Sequence, residues 1–275
     1  MPKSSSASKA VTWPSVNRSE EAINLDLRPL FQPLETPTVS PIDEYYGHAR
    51  QLLLAVSKPE IEADDMLMRL LVLELVSTAE LYFRRILSGA IAVCPLISAA
   101  AAKRPLLLGA LDYYHRQALG YALLDGVSLS GEGDVKRQTL NITGIDIKAN
   151  SSVQEALHDF ERVCQLRHVI VHAKGEAGAK NVADLRVSVP GQSRLTIKAL
   201  SFQPLVVVTH NAVRAYNAFM FDSVLRSWLS AKHLTGNWGS DRRKFSALFK
   251  LFFSEVDGGP SDPKASYRVF RPAIK

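Results

Sequence analysis

Residues 152–173 read SVQEALHDFERVCQLRHVIVHA. Ser152 followed by Glu155 has the pattern of a capping box, and Gly175 stands ready to end a helix two residues beyond Ala173. Laid out at about 100° per residue, Val153, Leu157, Phe160, Cys164 and Val171 form one apolar stripe, so the spacing predicts a core helix over 152–173. Arg167 falls inside that stripe. A guanidinium on an apolar face is unfavourable unless it is paired, for example with Glu74 or Glu80, or lies at a cleft or subunit junction. His168 and His172, four residues apart, share a face at the edge of the stripe. His172 belongs to the last turn, where the negative end of the helix dipole favours imidazolium and suits acid–base work near neutral pH.

Outward from this segment the pattern is helical almost throughout. Ser40-Pro41-Ile42-Asp43 caps and opens a helix to about Ser57. Leu67, Leu70, Leu71, Val76, Ala79, Phe83 and Ile86 space a second, central helix over about 62–87, with Gly89 as its terminator. A third helix is expected over 105–124 after an Ala-rich connection, and 125–150 reads as a long loop. Leu185–Val189 and Arg194–Ala199 flank Pro190-Gly191-Gln192-Ser193 as a small β-hairpin within about 185–199. Helices over about 204–229 and 241–253 follow. The expectation is a mainly α chain: a Ser- and Pro-rich flexible arm over 1–39, a helical bundle with a β-hairpin insertion over 40–254, and a loosely ordered tail over 255–275.

Composition narrows the class. A chain of 275 residues with 47% hydrophobic content buries a full core. No apolar run reaches the roughly 18–20 residues of a membrane span, and the first residues, Met-Pro-Lys-Ser-Ser-Ser, lack the apolar core of a secretion signal, so a cytoplasmic location without membrane partners is expected. Cys94 and Cys164 are too few for a disulfide framework and are expected to be buried thiols. The formal charge of +6 mildly favours an anionic partner.

Two readings of the chemistry lose ground on the residues. His168-x-x-x-His172 is half of a familiar zinc site, but Val169-Ile170-Val171 holds no glutamate, and Glu161 lies about 10 Å down the helix. No glycine-rich phosphate loop and no nucleophile-elbow serine occur. No cofactor or metal is therefore expected. Among several basic pairs, Arg84-Arg85, together with Lys174, are candidate contacts to a phosphate backbone.

The segment resembles the HEPN superfamily, whose members carry an Arg followed, after four to six residues, by a His near the end of a core helix; here it is Arg167-His168-Val169-Ile170-Val171-His172. His168 fills the place where that family most often has Asn. The preceding Glu161–Leu166, the trailing Ala-Lys-Gly, and an earlier helix reading Leu73-Glu74-Leu75-Val76-Ser77-Thr78-Ala79-Glu80-Leu81-Tyr82-Phe83-Arg84-Arg85 are also similar. The resemblance spans roughly 42–230 and implies a HEPN-like helical bundle. It further implies a metal-independent endoribonuclease, a toxin or antiviral defence effector, working as a homodimer on RNA and restrained by an antitoxin or regulatory protein. His172 would be the proton-transfer residue, Arg167 the phosphate stabiliser, and His168 an orienting or second proton-transfer group. The alternatives are a non-catalytic HEPN-like module binding a nucleotide or partner protein, and a purely structural helical adaptor in which Arg167 is paired internally.

Overall fold

The computed structural model describes Pro14 and residues 24–34, 37–115, 118–259 and 261–274. It separates into two units, 1–36 and 37–275. Most of the arm expected over 1–39 lies outside the described residues. The first unit's described part holds a 3-10 turn, Arg28–Leu30, preceded by Asp26, whose carboxylate accepts from the Arg28 amide and guanidinium at 3.0 and 2.9 Å.

The second unit is helical. In chain order it comprises α1 (Pro41–Val56), α2 (Pro59–Glu62), α3 (Asp65–Val93), α4 (Pro95–Ala101), α5 (Leu108–Tyr113), α6 (Leu119–Ala122), α7 (Glu132–Thr143) and α8 (Ser152–Ala173). There follow β1 (Glu176–Ala177), α9 (Ala179–Leu185), β2 (Ser193–Arg194), α10 (Ala199–Ser230), α11 (Trp238–Phe252) and α12 (Pro263–Phe270). Ser40 caps α1 by accepting from the Asp43 amide, as its sequence predicts. Among the described residues no helix is long and apolar enough to cross a membrane.

The core is built where α3, α8 and α10 meet. The ring of Phe83 on α3 lies 5.9 Å from Phe160 on α8 and 5.0 Å from Tyr216 on α10, centroid to centroid. Phe83 meets Phe160 while Arg69 meets Gly175, so α3 and α8 run antiparallel.

Several expectations are corrected. The central helix does not end at Gly89: α3 runs through it to Val93, because Gly89 leaves the room that Leu251 of α11 occupies, and Pro95 imposes the stop instead. The helix expected over 105–124 is broken into α5 and α6, since Leu107, Leu108, Leu111 and Tyr113 find no core to seat on and a short helix does not persist without packing. The loop expected over 125–150 holds α7, which buries Val135, Thr139 and Ile142 along one face and ends at left-handed Gly144. Thr139 is tolerated there because its hydroxyl bonds the Val135 carbonyl and the Tyr216 hydroxyl, each at 2.7 Å.

The hairpin over 185–199 is also corrected. Leu185 closes α9, and β2 pairs antiparallel with β1, Glu176 opposite Arg194 and Ala177 opposite Ser193. The tail has a folded part: Asp262 caps α12, whose Tyr267 is buried against Trp238 and Phe245 of α11. Asp43 of α1 holds the chain just after α11, accepting from the Ser254 hydroxyl at 2.6 Å and the Glu255 amide at 2.9 Å.

Candidate functional site

The site is the C-terminal half of α8 and the part of α3 beside it. Ser151, one residue earlier than the sequence pattern suggests, caps α8 by accepting from the Gln154 amide at 3.3 Å, and Gln154 accepts in return from Asn150 at 2.8 Å. At the other end Lys174 and Gly175 both turn left-handed, at φ of 49° and 92°, and the Gly175 amide donates to the Val169 carbonyl at 3.1 Å. His172 therefore occupies the last helical turn.

The apolar stripe holds for its first half and then changes face. Val153, Leu157, Phe160, Val163 and Cys164 are buried, as are Val169 and Ile170, whereas Val171 is 48% exposed. The cause is the neighbour: α3 packs against the first half of α8, while Val169 lines a cavity shared with α10. Beside the second half, α3 and α8 leave an open cleft of about 530 Å³, lined by Leu70, Glu74, Ser77 and Glu80 of α3 and by Arg167 and Val171 of α8. Arg167 thus sits half-buried in a cleft, as its place in the stripe required.

Arg167 forms no ion pair with Glu74, Glu80 or any other described residue. Glu80 is engaged elsewhere, accepting from the Leu129 amide at 3.1 Å. This removes the support for an internally paired, purely structural Arg167. Below it, burial pushes the Cys164 thiol well above its ordinary range, Glu161 and Glu80 add to that effect, and Arg167 opposes it only in part. Cys164 stays a protonated core residue rather than a nucleophile.

The two imidazoles come together. The His168 and His172 rings lie 5.8 Å apart and 12° from parallel. They occupy the stripe next to that of Arg167 and Val171, about 100° around the helix. His168 is half-buried, His172 is exposed, and neither has a side-chain hydrogen bond among the described residues.

The remaining candidates divide. Lys174 is exposed beside His172 and carries no ion pair among the described residues. Arg84 and Arg85 are corrected: neither is free for a phosphate. The Arg84 guanidinium donates to the carbonyls of Leu124 and Val127, fastening the chain after α6, and Arg85 pairs with Glu44 of α1 with 10% of its side chain exposed. A basic pair in sequence carries no sign of what its side chains meet in space.

Sequence reasoning missed Arg69. Its stem lies 2.9 Å from where a side chain on Gly175 would begin, and its Nη1 is buried with no hydrogen-bond partner, 3.8 Å from Asp65. Gly175 therefore serves twice, for its backbone angle and for the approach of Arg69. Only the antiparallel packing of α3 on α8 reveals this. Among the described residues no three His, Cys, Asp or Glu gather as a metal-binding group. No protein-family model, curated protein or solved structure matches the chain.

Proposed function

We propose that this chain is a HEPN-like, metal-independent endoribonuclease that cleaves single-stranded or loop RNA. The observation that carries the reading is Arg167: a guanidinium held in the α3–α8 cleft with no ion pair among the described residues, one position from a stacked pair of histidines at the end of the same helix. In the reaction the ribose 2′-hydroxyl attacks the adjacent phosphorus and the bond to the 5′ oxygen breaks, leaving a 2′,3′-cyclic phosphate and a 5′-hydroxyl. His172 moves one proton, as base or acid; His168 orients it or moves the second; Arg167 neutralises the charge that builds on the phosphorus oxygens. Single-stranded substrate follows because in-line attack needs a sugar-phosphate geometry that an A-form duplex does not supply.

A homodimer is part of the proposal. Leu70 and Val171 beside Arg167 are 47% and 48% exposed, an apolar margin suited to a second copy that would bring its own Arg167 to a shared groove. Light scattering at tens of micromolar tests it, and a monomer would count against a composite site.

The non-catalytic binding module is the second reading. What favours it is that no described side chain hydrogen-bonds His172, which has only the stacked His168 ring beside it, whereas a catalytic imidazole is ordinarily held by a hydrogen-bonding partner. One assay separates the two: wild type, His172→Ala and Arg167→Lys on mixed RNA with excess chelator, scored for cyclic-phosphate ends. Loss of roughly 10²–10⁴-fold in His172→Ala is expected. Poor rescue by Arg167→Lys is also expected, because an ammonium lacks the planar fork that matches a phosphate. Activity that vanishes with chelator, or survives the His172 change, overturns the mechanism.

A further inference from the structure

On the flank of α8 turned away from Arg167, the helix shares with α9, α10 and the β1–β2 pair a cavity of about 560 Å³. Its floor is apolar, with Val163 and Leu166 of α8 and Val208 of α10. Its roof is apolar too, with Val182 and Leu185 of α9 followed by Val187 and Val189. Apolar surfaces that face each other normally close until they touch, because an unfilled gap forfeits dispersion contacts on both sides. Here they do not: α9 buries none of its residues, and Val187 remains 41% exposed. The roof is instead pinned at its edges, by the Leu195 amide on the Gly175 carbonyl at 2.7 Å and by Arg194 on Glu176 at 2.7 Å.

The space lies within the size range of small-molecule sites and is far larger than a void left by imperfect packing. The charged residues that line it are Arg162, Arg194 and Asp159, two guanidiniums to one carboxylate. Arg194 is occupied by Glu176, whereas Arg162 and Asp159, both exposed, have no ion pair among the described residues, so Arg162 is the cation left to meet an anionic head group. We propose that this cavity is a binding site for an aliphatic carboxylate, its chain between α8, α9 and α10 and its head group on Arg162. The assignment stands apart from the ribonuclease reading, because it uses none of Arg167, His168 or His172. Since Val163, Leu166 and Val169 belong to the same helix as those three, an occupant would bear directly on the helix that presents them.

The test is calorimetric titration of the full chain with decanoate, decanol and decylamine, probes of equal length that differ in head-group charge. Decanoate is expected to bind saturably, one per chain, more tightly than decanol, with decylamine weakest. Val208→Trp fills the cavity and lowers decanoate affinity at least about tenfold, as overfilled apolar sites do. Arg162→Gln weakens decanoate several-fold and leaves decanol unchanged. Should Val208→Trp fail to fold by circular dichroism, Leu185→Gln on the half-exposed roof decides the same point. Absence of saturable decanoate binding overturns the proposal, and so does affinity unchanged by a folded cavity variant, or decylamine binding as tightly as decanoate.

Discussion

Asp241 and Arg167 are both charged side chains set among apolar neighbours, and their surroundings differ in kind. Asp241 is wholly buried and saturated: it accepts from the Thr235 amide at 2.9 Å, the Gly236 amide at 3.0 Å and the Tyr267 hydroxyl at 2.6 Å, with Lys244 at 3.3 Å. Burial alone would raise its pKa, but the bonds from Tyr267, Thr235 and Lys244 prevail and hold the carboxyl below the usual range. Arg167 has none of this. A buried charge whose every bonding position is met joins pieces of the fold, here α12 to α11; a half-buried charge with an open face is free to meet something that is not part of the fold.

Removing each charge and measuring folding separates the two cases. Asp241→Ala strands the Tyr267 hydroxyl and two backbone amides, and urea denaturation is expected to show a loss of about 3–5 kcal/mol, the scale of a broken buried charge network. A loss under about 1 kcal/mol would place Asp241 among ordinary surface groups. Gly175→Ala is expected to rank next, at roughly 1–3 kcal/mol, because it forces a side chain onto a φ of 92° and into the stem of Arg69. Gly144→Ala, equally left-handed but with open space around it, should lose less, and equal losses would show that Arg69 plays no part.

Acid titration probes two further groups. Burial lowers the pKa of His210, helped by Arg214 against the opposing pull of Asp257; burial also lowers that of His233, with Lys244 adding to it and Asp241 opposing. A depressed folded-state pKa means that the stabilisation is complete above the unfolded value of about 6.5 and is lost as pH falls through the folded value. The thermal midpoint is therefore expected to drop between about pH 7 and about pH 5. His210→Gln, which keeps a hydrogen-bonding group for the Tyr45 hydroxyl now 2.9 Å from Nδ1, should flatten that slope. A midpoint rising on acidification would reverse the assignment.

Arg167→Ala is expected to have the smallest effect on folding, within about 0.5 kcal/mol, because the half-buried guanidinium has no ion pair to lose among the described residues. On the proposed reading its consequence falls on RNA cleavage instead. Destabilisation on the scale of Asp241→Ala would mean that Arg167 carries structural weight and would return the adaptor reading.

Much of the frame was legible in the chain. Ser40 with Pro41, the apolar spacing from Val153 to Cys164, and Gly175 beyond Ala173 are relations between residues a few positions apart, and near neighbours dictate caps, periods and stops by local geometry. Arg167 was legible for the same reason, as a charge breaking an apolar period. Partnership is settled only when the helices pack. Arg84 and Arg85 look free in sequence, yet one is spent on the Leu124 and Val127 carbonyls and the other on Glu44. Val171 continues the period but faces an open cleft, Tyr267 lies in a polar tail yet seals the Asp241 network, and Ser193–Arg194 pairs with residues before α9 rather than after it. Each outcome depends on which distant element lies across from the side chain, and a local pattern carries the need for a partner without naming it.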